Sequence, residues 1–146
     1  MSWVIDGNNV LGRLGAGVRE SIDAKRDLIR RLAEFARARK TRVACYFDGT
    51  EPEHFGKSLG SVSVIFSGKM TADDLIAARL GGGRGWQLVT SDQALAARVR
   101  GRGVQIVDAS DFLRMIEEAS RERRAKEETP EEWLEYFSDP KNRTPF

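Results

Sequence analysis

Carboxylates recur in this chain at one kind of place. Asp6 follows the apolar run Trp3-Val4-Ile5, and Asp48 follows Val43-Ala44-Cys45-Tyr46-Phe47; a glycine comes next in both cases. Asp73 and Asp74 lie in Thr71-Ala72-Asp73-Asp74-Leu75-Ile76. Asp92 follows Leu88-Val89-Thr90-Ser91, and Asp108 and Asp111 follow Ile106-Val107. Short apolar runs of this kind read as buried strands. In parallel α/β sheets, ligands bind beyond the carboxyl ends of the strands. One aspartate there means little, because turn aspartates commonly bond their own backbone. Four or five at one rim would repel one another unless a cation sat between them. Magnesium or manganese is the natural candidate, since both prefer oxygen ligands. Such an ion activates water, orients a phosphate and stabilises a leaving oxygen. None of this needs histidine, and the chain has one, His54, in a loop of glycine, proline and glutamate. Acid–base chemistry by two histidines of one chain is excluded.

Some of these acids also have a structural use. Thr71 reads as an N-cap, with Asp74 in the place of a capping-box acid. Asp73 and Asp74 both suit the positive end of a helix dipole. Neighbouring helical residues point about 100° apart, so only one of the two can lie squarely over a site. Ser91 or Asp92 must cap the helix that follows them.

The elements that position the acids follow from pattern. A strand ends at Asp6 and opens into a turn at Gly7-Asn8-Asn9; Gly12, Gly15 and Gly17 then form a flexible connection. Their spacing is not a dinucleotide fingerprint, and no P-loop lysine follows. Ser21 caps a helix to about Lys40, with Leu28, Ile29, Leu32, Phe35 and Ala36 at helical spacing. Further strands are expected at 42–48, 61–66, 86–90 and 104–107, with residues 49–60 as a loop. Helices are expected from Thr71, over 93–100, and from near Asp111 past Ile116 to about Arg124. The alternation argues for a mostly parallel sheet covered on both faces. Pro130 opens a short segment, Glu131-Glu132-Trp133-Leu134-Glu135-Tyr136-Phe137, aromatic enough to dock on the body or on a partner. The expected division is a domain over 1–126 and a C-terminal helical segment and tail over 127–146.

The length of 146 residues suits one domain, and 40% hydrophobic residues can fill its core. No stretch approaches a membrane span, and the start has no signal-type segment. The single cysteine, Cys45, lies within an apolar strand and reads as an inert core thiol. Disulfide frameworks and zinc-type cysteine spacings are excluded, and a cytoplasmic protein is expected. Net charge is only +2. Residues 111–146 carry 7 Lys/Arg against 10 Asp/Glu, while the rest carries 17 against 12. Acids gathered at one rim would leave the remaining surface of the first part basic, which suits a polyanion.

Four segments together resemble the YacP-like group of the NYN domains, in the PIN-like nuclease superfamily. They are Ile5-Asp6-Gly7-Asn8-Asn9-Val10, Phe47-Asp48-Gly49, Thr71-Ala72-Asp73-Asp74-Leu75-Ile76 and Val89-Thr90-Ser91-Asp92. Members commonly carry Asp-Gly-Tyr-Asn at the first, so Asn8 replaces an aromatic residue while Asn9 is kept. The resemblance implies a three-layer α/β/α sandwich and metal-dependent endoribonuclease activity. By position, Asp6, Asp73 and Asp92 would hold Mg²⁺ or Mn²⁺, with Asp48 as a fourth acid. Asn9 would support the turn, and Thr90 and Ser91 would lie near metal or phosphate. Known members include ribosome-associated messenger RNA nucleases.

The resulting expectation is hydrolysis of RNA phosphodiesters by metal-activated water, on messenger RNA at the ribosome if that partner is shared. Lys69, Arg79, Arg84 and Arg98 are candidate phosphate contacts because they flank the acidic motifs, with Lys57 and Arg13 behind them. One competing reading is an RNA- or ribosome-binding module of the same fold that does not cut. A small-molecule phosphatase ranks last, because no Asp-x-Asp ends the first strand.

Overall fold

A computed structural model describes residues 2–15, 21–56, 58–81 and 85–128. Within these, strands β1 (Ser2–Asp6), β2 (Arg42–Phe47), β3 (Ser58–Leu59), β4 (Val62–Phe66), β5 (Trp86–Val89) and β6 (Gln105–Val107) form one sheet. Its order is β3-β4-β2-β1-β5-β6, parallel throughout except for the antiparallel pair β3–β4. The helices are α1 (Gly7–Gly12), α2 (Ile22–Arg39), α3 (Ala72–Leu80), α4 (Gln93–Val99) and α5 (Ala109–Glu128).

The two central strands, β1 and β2, are apolar along almost their whole length because both of their faces are covered. Trp3, Ile5, Val43, Cys45 and Phe47 point into one core, closed by α1, α2 and α5. Val4, Ala44 and Tyr46 point into the other, closed by α3 and α4 through residues such as Ile76, Leu80 and Leu95. Strand side chains alternate between faces, so a continuous apolar run feeds both layers. Trp3, Phe35 and Phe112 meet with ring centroids 5.1–5.4 Å apart and fasten α2 and α5 to β1. Cys45 is buried, as expected, and burial pushes its thiol far up from the ordinary range. No helix among the described residues is long and apolar enough to cross a membrane.

Three local expectations are corrected. The chain does not open into a turn after Asp6: α1 begins at once with Gly7. Glycine permits this, because a Cβ there would lie 2.5 Å from the Phe47 ring and 2.7 Å from the Tyr46 carbonyl oxygen. The loop expected over 49–60 contains β3, which pairs with β4 through Ser58 and Leu59. The last helix starts at Ala109, two residues before Asp111, and runs to Glu128. Gly17, Lys57, Arg84 and the 131–137 segment lie outside the described residues.

Candidate active site

The sheet carries its acids to one edge. β1 ends on Asp6; β2 is followed by Asp48, and β5 by Thr90, Ser91 and Asp92. These are the three adjacent strands at the sheet's centre. α3 brings Asp73 to the same edge from above the second core, near enough for its charge to act on Asp6.

Asp6 is only 5% exposed. Its pKa is pushed up to about 6, first by burial, with the Asp73 and Asp48 carboxylates adding to the rise. Hydrogen bonds from the Thr90 hydroxyl and the Asn9 backbone N–H act the other way. Thr90 Oγ1 donates to Asp6 Oδ2 at 2.9 Å and accepts the Asp92 N–H at 3.0 Å. That accepted bond leaves the single hydroxyl proton for Asp6, so one buried side chain fixes two of the acids.

Asp73 is held above its ordinary range by burial, then by the carboxylates of Asp92 and Asp48; Arg98 offsets part of this. Asp73 and Asp92 are close enough to share a hydrogen bond. Asp74 turns away. Its carboxylate meets Arg98 at 3.0 Å, and its own N–H is capped by Thr71 Oγ1 at 3.1 Å. The Arg98 and Thr71 bonds hold Asp74 below the usual carboxylate range. Of the two neighbours, Asp73 therefore belongs to the acidic rim and Asp74 to the helix packing. Asp92 also serves structure: Oδ1 accepts from the N–H groups of Ala94 and Leu95, so it caps α4. Its Oδ2 is not committed to that cap.

A lattice of side-chain-to-backbone bonds holds the strand ends in place. Asn9 Oδ1 accepts the Ser91 N–H at 2.7 Å, tying α1 to the end of β5. Asn8 Oδ1 accepts the Asp48 N–H, also at 2.7 Å, and ties α1 to the end of β2. Asp48 Oδ1 in turn accepts the Ala72 N–H at 2.8 Å and anchors the start of α3. Ser67 Oγ accepts the Gly49 N–H at 3.1 Å. Sequence reasoning found Asn9 but missed the parts played by Asn8 and Ser67. The available signal for Asn8 was an amide side chain one residue nearer to Asp6, on the side of β2.

The expected cationic residues are scattered. Arg98 is at the rim, paired with Asp74. Lys69 is exposed in the turn between Ser67 and Thr71. Arg79 is elsewhere: it stacks on Trp86, 5.3 Å from the ring centre, at the opposite end of both α3 and β5. Arg13 lies near Asp108 and helps to hold that carboxyl low, after the Ser91 and Ser110 hydrogen bonds. Ser91 itself is occupied, since its hydroxyl donates to Asp108 at 2.8 Å and accepts the Ala109 N–H.

The donor set at the rim is all carboxylate, with hydroxyl and amide oxygens behind it. That set suits a hard divalent cation. The mutual repulsion registered at Asp6 and Asp73 is what such a cation would relieve. Among the described residues, no three His, Cys, Asp or Glu side chains are already closed around one ion position.

Comparison with known proteins decides the family. Residues 3–142 match the model of the YacP-like NYN domain. The chain belongs to this family. Among solved structures it is similar to Rae1 (YacP) from Bacillus subtilis, with a TM-score of 0.73 and 25% identity, over 94% of this chain and 87% of that one. The W164L mutant of the same protein aligns with a TM-score of 0.69 and 27% identity, over 88% and 83%. A comparison with curated proteins returned no match. The YacP-like NYN domain has a nuclease-type fold, and the acidic rim lies where a parallel sheet places its chemistry.

Proposed function

We propose that this YacP-like NYN protein is an endoribonuclease that hydrolyses RNA phosphodiesters with Mg²⁺ or Mn²⁺. The carrying observation is the gathering of Asp6, Asp48, Asp73 and Asp92 at the carboxyl edge of β1, β2 and β5. Asp6, Asp73 and Asp92 would hold the cation, with Asp48 as the fourth acid. A divalent ion bound there lowers the pKa of water and offsets charge on the phosphate. Thr90 keeps Asp6 oriented through its donated hydrogen bond. Asn9 and Asn8 fix the strand ends that carry Ser91 and Asp48. Arg98, whose charge acts on Asp73, and Lys69, exposed in the turn before α3, are the cations we assign to the RNA backbone. We assign Arg84 to the substrate side as well; Ser91, whose N–H and hydroxyl are bonded to Asn9, Asp108 and Ala109, would act there by positioning the neighbouring Asp92. The placement of Arg79 on Trp86 separates it from this group. Family resemblance extends the reading to messenger RNA at the ribosome, in the cytoplasm.

The test is cleavage of a labelled RNA with Mg²⁺ or Mn²⁺ by the wild type, Asp6→Asn and Asp92→Asn. Each substitution should lower the rate by more than about 100-fold, beyond the range of a merely supporting residue. Equal rates in all three proteins, or binding without cleavage in either metal, would contradict the proposal.

A further inference from the structure

A cleft of about 910 Å³ lies away from the rim acids, none of which lines it. It runs along the solvent side of α2, from Asp27 to Arg37, and is shared with α5 from Leu113 to Arg124. Two features make it unlike a solvated helix face. Among the described residues, its walls hold five arginines (Arg30, Arg31, Arg37, Arg123 and Arg124) against three carboxylates, those of Asp27, Glu34 and Glu117. Asp27 pairs with both Arg30 and Arg31, and Glu34 with Arg123. No ion pair among the described residues involves Arg37 or Arg124. The cleft is also lined by Leu14 and Leu59, which are 45% and 47% exposed and belong to the few large apolar side chains left in the open.

We propose that this cleft is the docking site of the chain's own segment Glu131–Phe137. Three observations select it. The first is continuity: α5 lines the cleft as far as Arg124 and ends at Glu128, about one turn beyond the cleft wall, and the segment begins three residues later. Pro130 cannot continue the helix and marks the point where the chain can reverse. The nine residues 129–137 span at most about 30 Å when extended. The cleft's length along α2, ten residues of helix, is about 15 Å. The second is complementarity. Glu131, Glu132 and Glu135 bring three negative charges and no positive one to a cleft with surplus arginine. Trp133, Leu134, Tyr136 and Phe137 bring apolar surface to Leu14 and Leu59. The third is that the match to the YacP-like NYN domain runs to residue 142, through this segment.

Docking there would brace α2 and α5 across the outside of the first core. It does not depend on the acids, so it stands or falls apart from the nuclease reading.

Trp133 reports on it directly. The full-length protein and Trp133→Phe are compared by fluorescence emission and acrylamide quenching, and the difference gives the Trp133 contribution. The expected result is a blue-shifted contribution quenched several-fold less than free indole, unchanged over a hundredfold range of protein concentration. Hydrogen exchange over 131–137 should be slowed about tenfold or more relative to an unstructured chain. The double variant Arg37→Glu/Arg124→Glu, at two exposed positions, should return both signals towards those of a free segment. A wild-type Trp133 quenched like free indole would overturn the proposal. So would protection that appears only as concentration rises, which would assign the segment to a second copy.

Discussion

Asp6 is the residue on which structure and chemistry conflict most. Its carboxylate is nearly buried among other acids, and its pKa stands at about 6 against an ordinary 3.8. Between these two values the folded chain keeps a proton that the unfolded chain has lost. Stability of the metal-free protein should therefore fall as pH rises from about 4 to about 6, by roughly 3 kcal/mol in all. Asp6→Asn removes this cost while an amide oxygen can still accept from Thr90. In urea unfolding with a chelator at pH 7.5, the variant should be more stable than the wild type by one to a few kcal/mol, roughly. The gap should close near pH 4. Equal stability at both pH values would show that the site does not strain Asp6. The place of Asp6 at the end of a buried strand was legible in the sequence, because it closes an apolar run. The role of Asn8 was not, since its partner, the Asp48 N–H, is 40 residues away. Arg79 shows the opposite failure. It is near Asp73 in sequence, yet six residues of helix carry it about 9 Å away along α3.

At the scale of elements, α4 shows how one residue can serve both fold and site. Asp92 caps α4 through Oδ1. Asparagine caps a helix about as well as aspartate, whereas alanine costs about 1 kcal/mol. Asp92→Asn should thus lose cleavage with little change in unfolding midpoint. Asp92→Ala should lose cleavage and about 1 kcal/mol of stability as well. If the asparagine variant kept full activity, the cap alone would explain Asp92. The caps at Ser21 and Thr71 were readable from sequence, and that of α4 was narrowed to Ser91 or Asp92, because capping depends on residues only a few positions apart. Two elements escaped: α1, six residues bounded by glycines, and β3, two residues long. Both are too short to show periodicity. The first exists because Gly7 lets the chain pass close to Phe47, and the second because β4 offers an edge.

For the whole molecule, alternation of apolar strands and helices was enough to predict a parallel sheet covered on both faces. Strand order was not readable, because it depends on which crossovers pack together. The order β4-β2-β1-β5 gives the acids their meaning, since it makes the ends of β1, β2 and β5 neighbours. Charge sums were less informative: the basic excess of the first part is divided among the rim, the α2–α5 cleft and paired helix faces. The proposed reading is that Asp6, Asp73 and Asp92, gathered at this edge, would hold one divalent ion. The most direct check is a Mn²⁺ titration followed by electron paramagnetic resonance, on the wild type, Asp6→Asn, Asp73→Asn and Asp74→Asn. The wild type and Asp74→Asn should bind Mn²⁺ alike, and Asp6→Asn and Asp73→Asn should bind it at least about tenfold more weakly. Mn²⁺ binding that is equal in all four proteins, or lost only in Asp74→Asn, would contradict the assignment of this rim as the metal site.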